Sequence, residues 1–241
     1  MFRSSVILAV LGLSLALAIA PAAAQAPKPE EITSSVPALD AMHEVIMPMW
    51  HDAWPNKDYK ALAALVPAID THVTAIAKAE LPGILREKAA QWKAGVATLS
   101  ASAAAYKAAV ASGNNETLMK AAEKLHMDYE GLVKVVRPIL KEMDEFHAAL
   151  YTLYHYQLSP FQLAKVTESA QALKAKMDVL NKAVLPDKLK AKTEAFAAQR
   201  AALGKAVDAV SAAVGTKDAA KIKAAVEAMH SAYENLEQLF S

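Results

Sequence analysis

The chain has 241 residues, 54% of them hydrophobic and 21% charged, which is enough apolar material to bury a core and too much for a disordered chain. Only 7 Gly and 6% aromatic residues, in an Ala-rich sequence, favour helices over a sandwich or barrel. A net charge of +1 makes no electrostatic case for nucleic acid or anionic membrane, and zero Cys excludes disulfides, thiolate metal sites, covalent c-type haem and Cys nucleophiles.

Arg3 precedes an apolar run from Val6 to Ala20, followed by Pro21-Ala22-Ala23-Ala24-Gln25. A short basic start, an apolar stretch and a small-residue cleavage site predict a secretory signal peptide over 1–24. The run is shorter than the ~20 residues a membrane span requires. The expected protein is therefore exported, most simply to a bacterial periplasm, with no membrane association after cleavage. Residues 25–33 read as a disordered tail.

Sliding the remainder by 104 residues aligns its two halves without a gap. Asp40, His43 and His51 fall on Asp144, His147 and His155; Leu81-Pro82 falls on Leu185-Pro186. Glu123, His126, Tyr129 and Glu130 fall on Glu227, His230, Tyr233 and Glu234. The units are 34–137 and 138–241, and each shows four helical stretches. These are 37–54, 58–80, 83–111 and 115–136 in the first unit, and 139–157, 160–183, 187–214 and 218–240 in the second. Turn and capping residues separate them, as in Trp54-Pro55-Asn56-Lys57 and Ser112-Gly113-Asn114-Asn115. Short links force neighbours antiparallel, so the predicted fold is all-α: two tandem up-down-up-down four-helix bundles from an internal duplication. Pro48 and Pro67 should kink their helices. Val135-Val136-Arg137-Pro138-Ile139-Leu140 contains no Gly or Ser, which predicts a tight bend between the units and a fixed relative orientation, able to present both to one periplasmic partner protein.

Six of the 7 His obey the repeat; His72 falls opposite Lys176 and reads as surface. At 100° per residue, Asp40, His43, Met47 and His51 share an arc of ~80° on the first helix, and Glu123, His126 and Glu130 an arc of ~60° on the fourth. In antiparallel helices whose side chains lean toward their own N-termini, His51 and His126 lean together. Glu123 stands one turn from His126, the carboxylate and imidazole spacing of helix-bundle metal sites. The expected metal ligands are His51, His126 and Glu123, with His155, His230 and Glu227 in the second unit. Asp40, His43 and Glu130 form a lesser cluster, repeated as Asp144, His147 and Glu234. Imidazole with one carboxylate suits zinc or copper.

Ala122-Glu123-Lys124-Leu125-His126-Met127-Asp128-Tyr129 resembles the last helix of the cytochrome c′ and cytochrome b562 class of periplasmic four-helix bundles, in which a haem-ligating His is followed by acidic and aromatic residues. The resemblance covers each unit in topology but in motif only these residues and their weaker copy at 226–233. Ala122 and Leu125 stand where the attachment Cys would be. What the resemblance implies is haem b held non-covalently, with His126 on one face and a Met or His of the first helix on the other.

No Gly-rich phosphate loop, G-x-S-x-G or H-E-x-x-H is present. The leading expectation is a non-enzymatic, exported transition-metal-binding protein for storage, buffering or delivery, with one His/Glu site per bundle. A haem b electron-transfer or gas-binding bundle and a non-catalytic scaffold protein are the alternatives.

Overall fold

The computed structural model describes residues 26–240; the signal peptide expected at 1–24 lies outside them. The described chain is all-helical: α1 (Pro37–Pro48), α2 (Tyr59–Ala64), α3 (Val66–Lys78), α4 (Ala89–Ser112), α5 (Asn115–Val136), α6 (Lys141–Thr152), α7 (Leu163–Leu180), α8 (Thr193–Thr216) and α9 (Ala219–Gln238). None of these helices is long and apolar enough to cross a membrane.

Element boundaries recur at the 104-residue spacing. Short π-helical turns occupy Met49–Ala53 and Leu153–Gln157, and 3-10 segments occupy Gly83–Lys88 and Asp187–Lys192. Both π turns are followed by an equivalent i+5 hydrogen bond, Asp58 N to Ala53 O at 2.9 Å and Gln162 N to Gln157 O at 3.0 Å. Pro48 ends α1, yet it does not cause the turn, because Thr152 holds the equivalent position before the second one. Pro67 does alter its copy. The stretch expected as one kinked helix over 58–80 is two helices that meet at Leu65, with Pro67 in the first turn of α3, where a missing amide costs nothing. Its counterpart, α7, is continuous.

The long helices start and stop on matching chemistry. Asn114 caps α5 by accepting from Thr117 N at 2.9 Å, and Asp218 caps α9 by accepting from Ala220 N at 2.9 Å. Just before each cap the backbone turns left-handed, at Gly113 (φ 67°) and Lys217 (φ 56°). Only the glycine enters that region without a Cβ penalty.

Packing runs α1 on α3, α3 on α4 and α4 on α5, then α6 on α7, α7 on α8 and α8 on α9. Two buried apolar clusters result, one around Leu39, Leu62, Leu99 and Leu125 and one around Leu150, Leu173, Leu203 and Met229. The same tether ties the first helix to the last in both: Tyr129 donates to Leu39 O at 3.4 Å and Tyr233 to Met143 O at 3.5 Å. Tyr151, on α6, breaks the partition because it is buried in the first cluster.

Arg137–Leu140 joins α5 to α6 as four residues outside any helix, with Arg137 and Leu140 extended. Ile139 and Leu140 pack on the second cluster and Val136 on the first. Further links cross the same seam: Ser34 donates to Asp144 at 2.5 Å, and Lys88 pairs with Glu237 at 3.0 Å. The segment expected as a disordered tail is held here too. Pro29–Glu31 forms a 3-10 turn, Ile32 packs on the first core and Glu31 accepts from Tyr151 at 2.8 Å. Burial of Ile32 and a part-buried hydrogen bond to Glu31 supply the ordering that its composition alone did not suggest.

Candidate metal centre

The widened π turns set the geometry of the histidines. Each presents an aromatic residue and then a His toward the last helix of its own half: Trp50-His51 toward α5, and Tyr154-His155 toward α9. The aromatic residue lies flat on the helix histidine. Trp50 and His126 stack at 4.1 Å and 5°, and Tyr154 and His230 at 4.3 Å and 19°. Widened turns of this kind frequently coincide with functional sites.

In the second half the expected pair meets: the rings of His155 and His230 stand perpendicular with centroids 6.4 Å apart. The carboxylate beside them is Glu87, which arrives from the first half on the Gly83–Lys88 segment. One ligand atom from each of Glu87, His155 and His230 lies within 4.8 Å of the other two. Glu227, the carboxylate expected from spacing, instead accepts a 2.8 Å hydrogen bond from the Tyr154 hydroxyl. Glu234, expected beside His147, has its carboxylate 3.7 Å from His230 Nδ1.

His155 is gripped from its far side. Arg86 Nη1 lies 3.2 Å from its Nδ1, while the guanidinium donates through Nη2 to the Tyr151 hydroxyl and sits 4.8 Å over the Tyr151 ring. Arginine has no acceptor, so Nδ1 accepts and the ring carries its proton on Nε2. That Nε2 is buried and has no hydrogen-bond partner among the described residues. Close approach of the segment depends on Gly83, where a Cβ would fall on the Tyr151 hydroxyl and within 2.9 Å of the Glu31 carboxylate.

Burial, the Arg86 guanidinium and His230 together pull the His155 pKa down to about 4. Burial, with His230 and Lys88 adding to it, pulls His147 down to about 3. Both rings are therefore neutral near pH 7. Two imidazoles with one carboxylate can hold a borderline divalent cation and leave a coordination position open. The cavity of about 50 Å³ that reaches His147 lies just along the same seam, lined by Ser34, Leu85, Lys88, Asp144 and Glu237.

The first half keeps the stacked pair without the closure. His51 and Glu123 are exposed and His126 half-buried. Burial and the nearby His51 lower the His126 pKa, while Glu130 raises it. No three-ligand group forms there among the described residues. The structure does not gather the lesser clusters into sites: Asp40 accepts from Ser35 at 2.8 Å, His43 stacks on Tyr129 at 6.4 Å, and Asp144 and His147 are engaged by Ser34 and by Tyr233 at 4.5 Å.

Sequence reasoning missed Glu87, Arg86, Tyr151 and Glu31. The signal for them was asymmetry: Ala191, Lys190 and Met47 replace the first three in the other copy. No protein-family model, curated protein or solved structure matches this chain.

Proposed function

We propose that this is an exported transition-metal-binding protein, built of two tandem four-helix bundles, whose principal centre is Glu87, His155 and His230 at the seam between them. The observation that carries the reading is the convergence of three ligand atoms within 4.8 Å beside a buried ring nitrogen that has no partner. Such nitrogens are rare in folded proteins and call for an explanation, of which an ion is one. The ligand set favours zinc or copper(II). The first half, where no third ligand joins His51 and His126 among the described residues, offers at most a weaker, open site.

The haem reading draws less support. The cavity beside His147 holds about 50 Å³ and does not reach His126, whereas cofactor sites run to several hundred. A scaffold reading takes its support from Arg86, whose contact with His155 already links the two halves as a polar pair.

Titration with Zn(II) and Cu(II) tests the assignment. The parent chain should bind one ion tightly and rise in melting temperature, because a ligand that binds only the native state stabilises it by mass action. His155→Ala and His230→Ala should each remove that site. A chain whose melting temperature ignores both metals would leave the scaffold reading standing.

A further inference from the structure

We propose that Arg86 sets the metal affinity of the seam centre: it occupies His155 Nδ1 as an internal cation and must withdraw before an ion can bind, which keeps the site exchangeable. This rests on the metal reading above and concerns how that site is regulated.

Arg86 Nη1 is 3.2 Å from His155 Nδ1, and a guanidinium can only donate. An ion entering at Nδ1 takes the lone pair that Arg86 now uses. An ion entering at Nε2 needs that nitrogen deprotonated, so the proton it carried moves to Nδ1, which then faces Arg86 donor to donor. Either route expels Arg86, and no net proton is released or taken up. The guanidinium also places a full positive charge beside the ligand set, opposing a second cation by direct repulsion.

Arg86 has somewhere to go. Its side chain is 45% exposed, and its Nη2 already stands 3.9 Å from Glu31 Oε1. Glu31 is held in place by the Tyr151 hydroxyl at 2.8 Å. Arg86 and Glu87 are neighbours on one 3-10 segment, so the same turn supplies the competing cation and the incoming carboxylate. Loading thus exchanges an Arg86–His155 link across the seam for a metal link between Glu87 and the two histidines. The equivalent segment of the second half carries Lys190 and Ala191 in place of Arg86 and Glu87, and in the first half Met47 stands in place of Tyr151. The device belongs to the second centre alone.

Zn(II) titration of the full chain against a competing chelator tests this, with circular dichroism used to confirm that each variant folds. Arg86→Gln should bind about 10–100-fold more tightly than the parent, the range over which groups just outside a metal's ligands act. Combining it with His155→Ala should abolish the gain. Nitrogen chemical shifts of His155 in the metal-free parent provide a second measurement and should report Nε2–H with a bare Nδ1. The proposal is overturned, with the metal reading intact, if the parent binds through His155 and Arg86→Gln binds equally or less well, or if the metal-free ring carries its proton on Nδ1. If neither the parent nor Arg86→Gln takes up Zn(II) or Cu(II), the metal reading fails and the proposal goes with it.

Discussion

Tyr154 does two things to the helix beside it: its ring lies on His230 at 4.3 Å, and its hydroxyl donates to Glu227 at 2.8 Å. Trp50, its counterpart in the first half, repeats the stack on His126 but has no hydroxyl for Glu123. The two contributions should separate by mutation. Tyr154→Phe loses the hydrogen bond alone, at about 0.5–1.5 kcal/mol. Tyr154→Ala loses the stack as well, a further ~0.5–1.5 kcal/mol before any cavity cost. Urea denaturation of the three proteins measures both steps, and equal midpoints for Phe and Ala would show that the stack contributes nothing.

Acid should weaken the fold through the buried histidines. His147 has its pKa pulled from 6.5 to about 3, and His155 from 6.5 to about 4. Between those values and 6.5 the unfolded chain binds protons that the native chain refuses, so stability falls as pH drops through that window. Below about 3 both states are protonated and this loss stops growing. The His147 share is on the order of a few kcal/mol. His147→Phe, which keeps a ring against Tyr233, should flatten the decline in unfolding free energy measured from pH 7 to pH 4. An unchanged slope in that variant would place the acid sensitivity elsewhere.

Gly83 should tolerate no side chain. A Cβ there meets the Tyr151 hydroxyl and the Glu31 side chain, while Asp187 occupies the equivalent position in the other copy. Gly83→Ala should cost ~1–3 kcal/mol by overpacking, and should loosen the seam enough to speed tryptic cutting after Lys134 or Lys141, the basic residues that flank the Arg137-Pro138 link. Asp187→Ala serves as the control and should leave the cutting rate unchanged.

Lys217 ends α8 at φ 56°, where Gly113 ends α4 at φ 67°. Lys217→Gly should therefore raise thermal stability by ~1 kcal/mol, and Gly113→Lys should lower it by a similar amount. Opposite signs in a pair of melting curves are the expected outcome. The same sign for both would mean that the unfolded-state entropy of glycine dominates.

Much of this protein is written locally. The caps at Asn114 and Asp218, the turn before each, the 104-residue period and the approach of His155 to His230 all follow from periodicity, spacing and turn chemistry, because helices are built from contacts three and four residues apart. The π turn escaped that reading. Pro48 drew attention to the spot, but Thr152 precedes the same turn, so a backbone breaker is not what the two turns share. The third ligand escaped for a different reason. Glu87 and Arg86 reach His155 from nearly seventy residues away, and they depart from the repeat, so a search for what the two halves share passes over them. Local pattern was enough for the long helices and the histidine pair, though not for the break at Leu65. Which carboxylate and which cation stand beside that pair depends on long-range packing, since one half lends its 3-10 segment to the other and the packing of Tyr151 and Gly83 at the seam sets how closely it approaches.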